Sequence, residues 1–509
     1  MRPRLLPLAA ISVSVGLLAP AVSAQVPPEV SRLADCSIDG YDDRCEAWVS
    51  IEDDPDGLAP FQFPVEVASS PNGQTVYVAM MESTGGSESR GRWVIVARSV
   101  ATGANLWTSR PTGAPTEYSS PSSLVVSPDG SRLFVVGSHR PSYWEPDGEL
   151  VLTSLDAATG QTLWTSTFNG SPGTDGARSL VISPDGAEIY LAGISGAQGD
   201  LDYTAIAYDA ATGQRRWVTR YRGVGGTGTD SPFDVALTPD GGTLLMTGWS
   251  DGLGEYNVDI ATVAFRTRGE QAGAIAWDAR YDAHGAQAPD RANAIAVSPD
   301  GSTVYSGGMS AEDLDGPPFD VNNRWTILAY DVETGEQQWM VRRSFEGASW
   351  AEVTDLAVSP DGSSLYATGF ANGDQNTDGI LAAYDATTGT ERWFTREALP
   401  EHDSEWTALT TTVLATPTAV VVAANSSTHL SEPLFLFNRR LVDHATSVYR
   451  PADGTKLWTA RLNATRIGQT FPAGATLAGN RVVIIANDSD NISADDDIYD
   501  GVIAAYDLG

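Results

Sequence analysis

Chemistry in this chain would have to come from its loop histidines, tryptophans and carboxylates. His139, Arg140 and Tyr143 fall within one short segment, His284 precedes Arg291 in another, and His402 stands among acids. A base beside a cation suits elimination from a uronate, where imidazole or phenolate takes a proton and a guanidinium neutralises the carboxylate. The same residues also read as solvated surface pairs. Carboxylates are too numerous for a glycosidase-type pair to be singled out, and neither a Gly-x-Ser-x-Gly elbow nor a His-Glu-x-x-His helix occurs. Trp144, Trp249, Trp350 and Trp406 offer flat faces for a sugar or another polar ring, or equally serve as caps on hydrophobic ends. Asp374, Asn376 and Asp378, followed by Gly379, fit the start of a calcium loop. Asp378 has counterparts at Asp202, Asp259 and Asp500, so a structural Ca2+ competes there with a solvated acidic loop.

The composition narrows the partners. Lys+Arg number 31 against 65 Asp+Glu, a net charge of −34, and Lys456 is the only lysine. No polybasic patch is left for nucleic acid or anionic lipid. Arg2 and Arg4 precede an apolar run from Leu5 to Leu18, and Val22-Ser23-Ala24 resembles a cleavage site, so residues 1–24 read as a signal peptide. The chain is expected to be exported, extracellular or periplasmic, with no membrane span. Cys36 and Cys45 are expected to pair with each other in an extension over 25–44.

Two signatures set the frame that must position these residues. Ser-Pro-Asp-Gly or a close variant occurs at 70–73, 127–130, 183–186, 238–241, 298–301 and 359–362, each followed by an alternating apolar run. Pro-Asp-Gly describes a tight turn between antiparallel strands. Asp-x-x-Thr-Gly-x-x-x-Trp then occurs as Asp156…Trp164, Asp209…Trp217, Asp331…Trp339 and Asp385…Trp393, with weaker copies ending at Trp107, Trp277 and Trp458. The repeating unit is four antiparallel strands, the last bearing a tryptophan expected to be buried between units. Residues 479–487 and 501–507 begin a further unit that lacks its fourth strand. Trp48 precedes Trp107 by the same interval of about 59 residues that separates the others on average. The strand around Trp48 is therefore expected to complete the last unit.

The Asp-x-x-Thr-Gly-x-x-x-Trp repeat resembles the tryptophan-docking motif of the quinoprotein alcohol dehydrogenase-like, PQQ-repeat β-propellers. The Ser-Pro-Asp-Gly hairpins resemble lactonase-like and SBBP-type propeller repeats. The resemblance implies an all-β, eight-bladed propeller over 45–509, its last blade built from about 474–509 plus 45–51. Alcohol-oxidising members of that family stack their quinone under a disulfide between adjacent cysteines. This chain has no adjacent pair, so PQQ is not expected. A rigid scaffold with short turns on one face and variable loops on the other places function on the loop face. The expectation is an exported monomer that binds a glycan or a partner protein there; the alternatives are a polysaccharide lyase or hydrolase and, last, a PQQ-dependent dehydrogenase.

Overall fold

The computed structural model describes residues 46–52, 61–83, 91–111, 119–140, 148–170, 173–197, 199–224, 228–252, 258–283, 289–311, 322–373, 377–397, 407–429, 440–462, 469–490 and 498–508. These residues form an all-β structure of four-stranded antiparallel sheets in a propeller-like arrangement. Each sheet is a meander. In the second, Ser119–Val126, Arg132–His139, Glu149–Asp156 and Thr162–Phe168 pair in sequence order. The same order recurs along the chain, with first strands at Phe61–Ser69, Thr174–Ile182, Ser231–Leu237, Arg291–Val297, Ala348–Val358, Thr407–Ala415 and Gln469–Ala478. The group after residue 469 supplies three strands, and Glu46–Glu52 pairs antiparallel with its third, Ile498–Asp507.

The turn residues act as their types predict. Ser127 Oγ donates to Asp129 Oδ1 at 2.6 Å, and Gly130 N donates to Ser127 O at 2.8 Å, closing the hairpin between the first and second strands. Asp156 Oδ1 accepts from the backbone of Ala158 and Thr159 and from the Thr159 hydroxyl, which fixes the turn between the third and fourth.

Hydrophobic burial lies between sheets. Each apolar cluster draws on two neighbours: Phe134, Val136 and Leu152 of the second sheet meet Leu180, Leu191 and Ile206 of the third. Val483, Ile485 and Ile503 of the last group meet Val76, Val78 and Val96 of the first sheet. First strands also pack on one another from sheet to sheet, Gln469–Ala478 against Phe61–Ser69 included. Single parallel bridges join the third strand of one sheet to the first strand of the next, as Asn323↔Trp350, Thr377↔Thr407 and Val442↔Gln469. Tyr499↔Phe61 makes the same link from the last group to the first sheet.

The motif tryptophans dock across these interfaces. Trp107 Nε1 donates to Ala157 O at 3.1 Å, Trp164 to Ala210 O at 3.3 Å, Trp277 to Val332 O at 2.8 Å and Trp393 to Pro451 O at 2.9 Å. Trp339 donates to Ala386 O at 3.2 Å and Trp48 to Val100 O at 2.8 Å. In each case the acceptor belongs to the turn of the following sheet, whose glycine lies under the ring. The expectation of burial needs correction. Trp48, Trp107, Trp164, Trp217, Trp277, Trp339 and Trp393 are half-buried, and only Trp458, at 2 % exposure, is enclosed. The fourth strand is the outer edge of its sheet, so one side of its indole meets solvent. Among the described residues the enclosed indoles besides Trp458 are Trp93 and Trp325, on third strands.

Gly213 has φ +72°, and a Cβ there would stand 2.5 Å from Cε3 of Trp164. Gly269, at φ +79°, has open space around it. Gly213→Ala is expected to cost about 3 kcal/mol, backbone strain plus displacement of the indole, and Gly269→Ala about 1 kcal/mol from strain alone. Equal losses in chemical denaturation would contradict the docking role.

Candidate functional site

Arg291 and Trp350 come together although they belong to different sheets. Arg291 and Asn293 belong to the first strand of the fifth sheet, and Trp350 and Glu352 to the first strand of the sixth. A spacing of two places Trp350 and Glu352 on one side of their strand, whereas Asn293 is the extra residue of a β-bulge between Ala292 and Ala294 that breaks the alternation. Between them sits Glu352, only 3 % exposed. Arg291 grips it with Nε to Oε1 at 2.9 Å and Nη2 to Oε2 at 2.8 Å. Asn293 Nδ2 adds a bond to Oε1 at 2.6 Å and another to Val353 O at 2.7 Å. Trp350 Nε1 donates to Oε2 at 3.0 Å, and the Arg291 guanidinium lies 5.8 Å from the centre of the Trp350 ring.

Glu352 therefore accepts four hydrogen bonds and has no oxygen left over to act as a base. It fixes the rotamers of a guanidinium and an indole instead. Trp350 is 36 % exposed, so the cluster presents a positioned aromatic face with polar groups at its edge. The sequence pattern points to Arg291 and Trp350 but not to Glu352 and Asn293. Trp350, expected in a loop, lies inside Ala348–Val358, and the Trp-x-Glu alternation of that strand is the signal that finds Glu352.

The other candidates are dispersed. His139 is the last residue of Arg132–His139, half-buried, and Arg140 follows it exposed. Trp249, also expected in a loop, lies within Thr243–Asp251, half-buried, paired with Ser231 and Ile260. Asp378 is buried and ion-paired with Arg396. The same device joins Asp202 to Arg222 and Asp259 to Arg280, so this repeated aspartate has a structural cause. Cys36, Cys45, Tyr143, Trp144, His284, Asp374, Asn376, His402 and Trp406 lie outside the described residues, as do residues 1–45. Among the described residues no three histidine, cysteine or acidic side chains are grouped so as to hold a metal ion, and no helix is long and apolar enough to cross a membrane.

Further acids bind sheets together. Asp234 accepts from Val235 N at 2.8 Å and, across the interface, from Ile295 N at 3.0 Å. Asp355 repeats this with Leu356 N and Val413 N, both at 2.8 Å. Glu66, at the matching position of the first sheet, accepts from Val67 N, and its Oε2 has no partner. Burial drives the Glu66 and Asp355 carboxyls well above the usual range and Asp234 up to about 7.

Comparison with known proteins adds the repeat family. Residues 91–262 match a family model of PQQ-type repeats described as the outer membrane protein assembly factor BamB. That stretch runs from the first sheet into the fourth, and it relates the chain to PQQ-repeat propellers. No curated protein matches. Similar solved structures include a europium-containing methanol dehydrogenase, 14 % identical over 91 % of this chain and 93 % of that one, with a TM-score of 0.49. The periplasmic gluconolactonase of Pseudomonas aeruginosa is 18 % identical over 66 % of this chain and 89 % of its own, with a TM-score of 0.41. Hydrazine synthase of Kuenenia stuttgartiensis is 16 % identical over 64 % and 77 %, also at 0.41.

Two outcomes follow. Glu352→Gln leaves Arg291 with a neutral partner; because Arg291 is about a third exposed, the expected loss is about 2 kcal/mol rather than the larger cost of a fully buried pair, measured by denaturant melts. For Asp234, the folded state holds the proton more tightly than an unfolded chain titrating near 4. Its contribution is complete below about 4, declines as pH rises, and is gone by about 7. The Tm difference between wild type and Asp234→Asn is expected to move against the wild type across that window and to level off above it. A constant difference from pH 4 to 8 would contradict this.

Proposed function

We propose that this chain is an exported, eight-bladed β-propeller that binds a glycan on its loop-rich face, at the mouth framed by Arg291, Asn293, Trp350 and Glu352. The observation that carries the reading is the exposed Trp350 indole, held in place through its N–H by a buried carboxylate that also grips Arg291. A sugar ring places its C–H face on an indole and its hydroxyls against flanking polar groups. An aromatic face already immobilised binds at a smaller entropic cost than a free one. A partner protein is the competing ligand. Lyase or hydrolase activity would require a base, and Glu352 is fully engaged.

Closure into eight blades is supported by the equivalence of the last junction to the others. Val483 and Ile503 pack on the first sheet as other sheets pack on their neighbours, and Tyr499 bridges Phe61. Trp48 meets the turn at Gly103 as Trp107 meets that at Gly160. On this reading Glu46–Glu52 is the outer strand of the eighth blade.

Binding is tested with the purified mature protein against neutral and acidic polysaccharides by calorimetry. Trp350→Ala is expected to weaken the bound glycan roughly 30-fold, the worth of a central aromatic contact of about 2 kcal/mol. Unchanged affinity, or no binding of any glycan, would refute the site, and released product would establish an enzyme. Deleting residues 25–52 is expected to lower the Tm of the whole protein in one transition; a melt matching the parent would refute closure.

A further inference from the structure

The parallel bridges that lead from one sheet to the next follow a pattern with one exception. Gly148, Leu201, Val258, Thr377, Val442 and Tyr499 supply the third-strand residue at six of them, and Asn323, bridged to Trp350, supplies it at another. An amide is therefore no part of the frame. Asn323 is only 5 % exposed, and its Oδ1 meets no donor. A buried amide oxygen left in this state weakens the fold, where a valine would not.

The register turns this amide toward the candidate site. Arg291, Met309, Trp325 and Arg343 stand opposite one another across the fifth sheet, hence on one face of it. That face meets the sixth sheet, since Trp325 packs with Ala351 and Val353. Asn323, two residues before Trp325 in an unbroken ladder, shares the face with Arg291. The strand that carries Trp350 is also exceptional. Each first strand has a bulge near its middle, but among the described residues Ala348–Val358 alone has a second one, at Ser349, immediately before the indole. Bulges re-aim side chains, and this one stands where the frame has no need of it.

Resting on the reading of a glycan laid on Trp350, we infer that Asn323 accepts a hydrogen bond from a hydroxyl at the edge of that sugar, and that the site takes neutral oligosaccharides. Rotation about χ2 readily exchanges the two ends of an amide, so the oxygen turns to the donor that a ligand brings. Such a bond relieves a cost that the free protein carries, and so gains more than a bond to an oxygen already hydrated. The charges on this face disfavour an acidic sugar. Its two cations are each matched to a carboxylate: Arg291 forks onto Glu352, and Arg343 pairs with Glu391 while lying between the Phe345 and Phe394 rings. Asp290 has both oxygens held, by Ala283 N at 2.7 Å and by Ala311 N at 2.8 Å, and Ala311 stands opposite Asn323. Glu346 is exposed in the turn before Trp350. A carboxylate sugar would meet acceptors and negative charge there, with neither guanidinium of this face open to it.

The test is calorimetric binding of cellotriose, mannotriose, galactotriose and, as the acid, trigalacturonate, to wild type and Asn323→Val, which copies Val258 and Val442. A neutral trisaccharide is expected to bind more tightly than the acid, and Asn323→Val to weaken it about tenfold. One of its monodeoxy derivatives should lose about the same factor with the wild type and nothing with Asn323→Val. Without sugar, Asn323→Val should melt no lower than the wild type. A variant that melts several degrees lower, or does not fold, makes Asn323 a fastener and overturns the inference. Equal affinity of Asn323→Val and wild type, where Trp350→Ala binds more weakly, overturns it and leaves the glycan site standing. So does a deoxy series that never distinguishes the two proteins, or tighter binding of the acid. If no glycan binds, the reading on which this one rests falls, and this one with it.

Discussion

The contact between an indole on one sheet and a glycine turn on the next is the constraint on which the rest depends. A four-stranded meander has two apolar faces and cannot bury either alone, so its stability lies in its neighbours. The tryptophan fixes how neighbours meet. Its ring covers a glycine at positive φ, where any side chain would collide, and in six of the motif tryptophans the N–H donates to the carbonyl three residues before that glycine. Van der Waals contact and a directional bond then specify one offset between sheets. The apolar clusters fill the space so defined, with aliphatic and aromatic side chains drawn from both sheets of each pair.

Much of the chain's acidity serves this framework. Asp129 and Asp156 hold turns, Asp202, Asp259 and Asp378 anchor arginines on or just after fourth strands, and Asp234 and Asp355 tie inner strands across interfaces. Carboxylates suit these tasks because one group accepts several N–H bonds at once. The consequence for function is that an acid in this fold is more often a fastener than a reagent. Glu352 is a fastener placed where its grip positions groups that face a ligand.

The repeat was legible because turn chemistry is local. Pro-Asp-Gly and Asp-x-x-Thr-Gly dictate backbone geometry over four or five residues, so strand order and the partner of Ile498–Asp507 followed from them. What escaped depended on contacts remote in sequence. Asn293 and Glu352 lie 59 residues apart, and no spacing within either strand announces the pair. The bulges were invisible for the same reason, since an extra residue shows only against the strand that it fails to match. Burial of the docking tryptophans was overestimated because large aromatics suggest interiors, whereas an outer strand has an interior on one side alone.

The docking contact has a polarity: seven times, from Trp48 at Gly103 to Trp393 at Gly454, an indole of one sheet meets a glycine turn of the next. Such a head-to-tail contact does not saturate in pairs; it either returns to its origin or continues to the next copy. If the ring closes as proposed, the handshake of Trp48 with the Gly103 turn is also a safeguard against polymerisation. A chain shortened by one repeat would display a bare indole at one end and an uncovered turn at the other, complementary ends through which copies would join into chains or exchange blades.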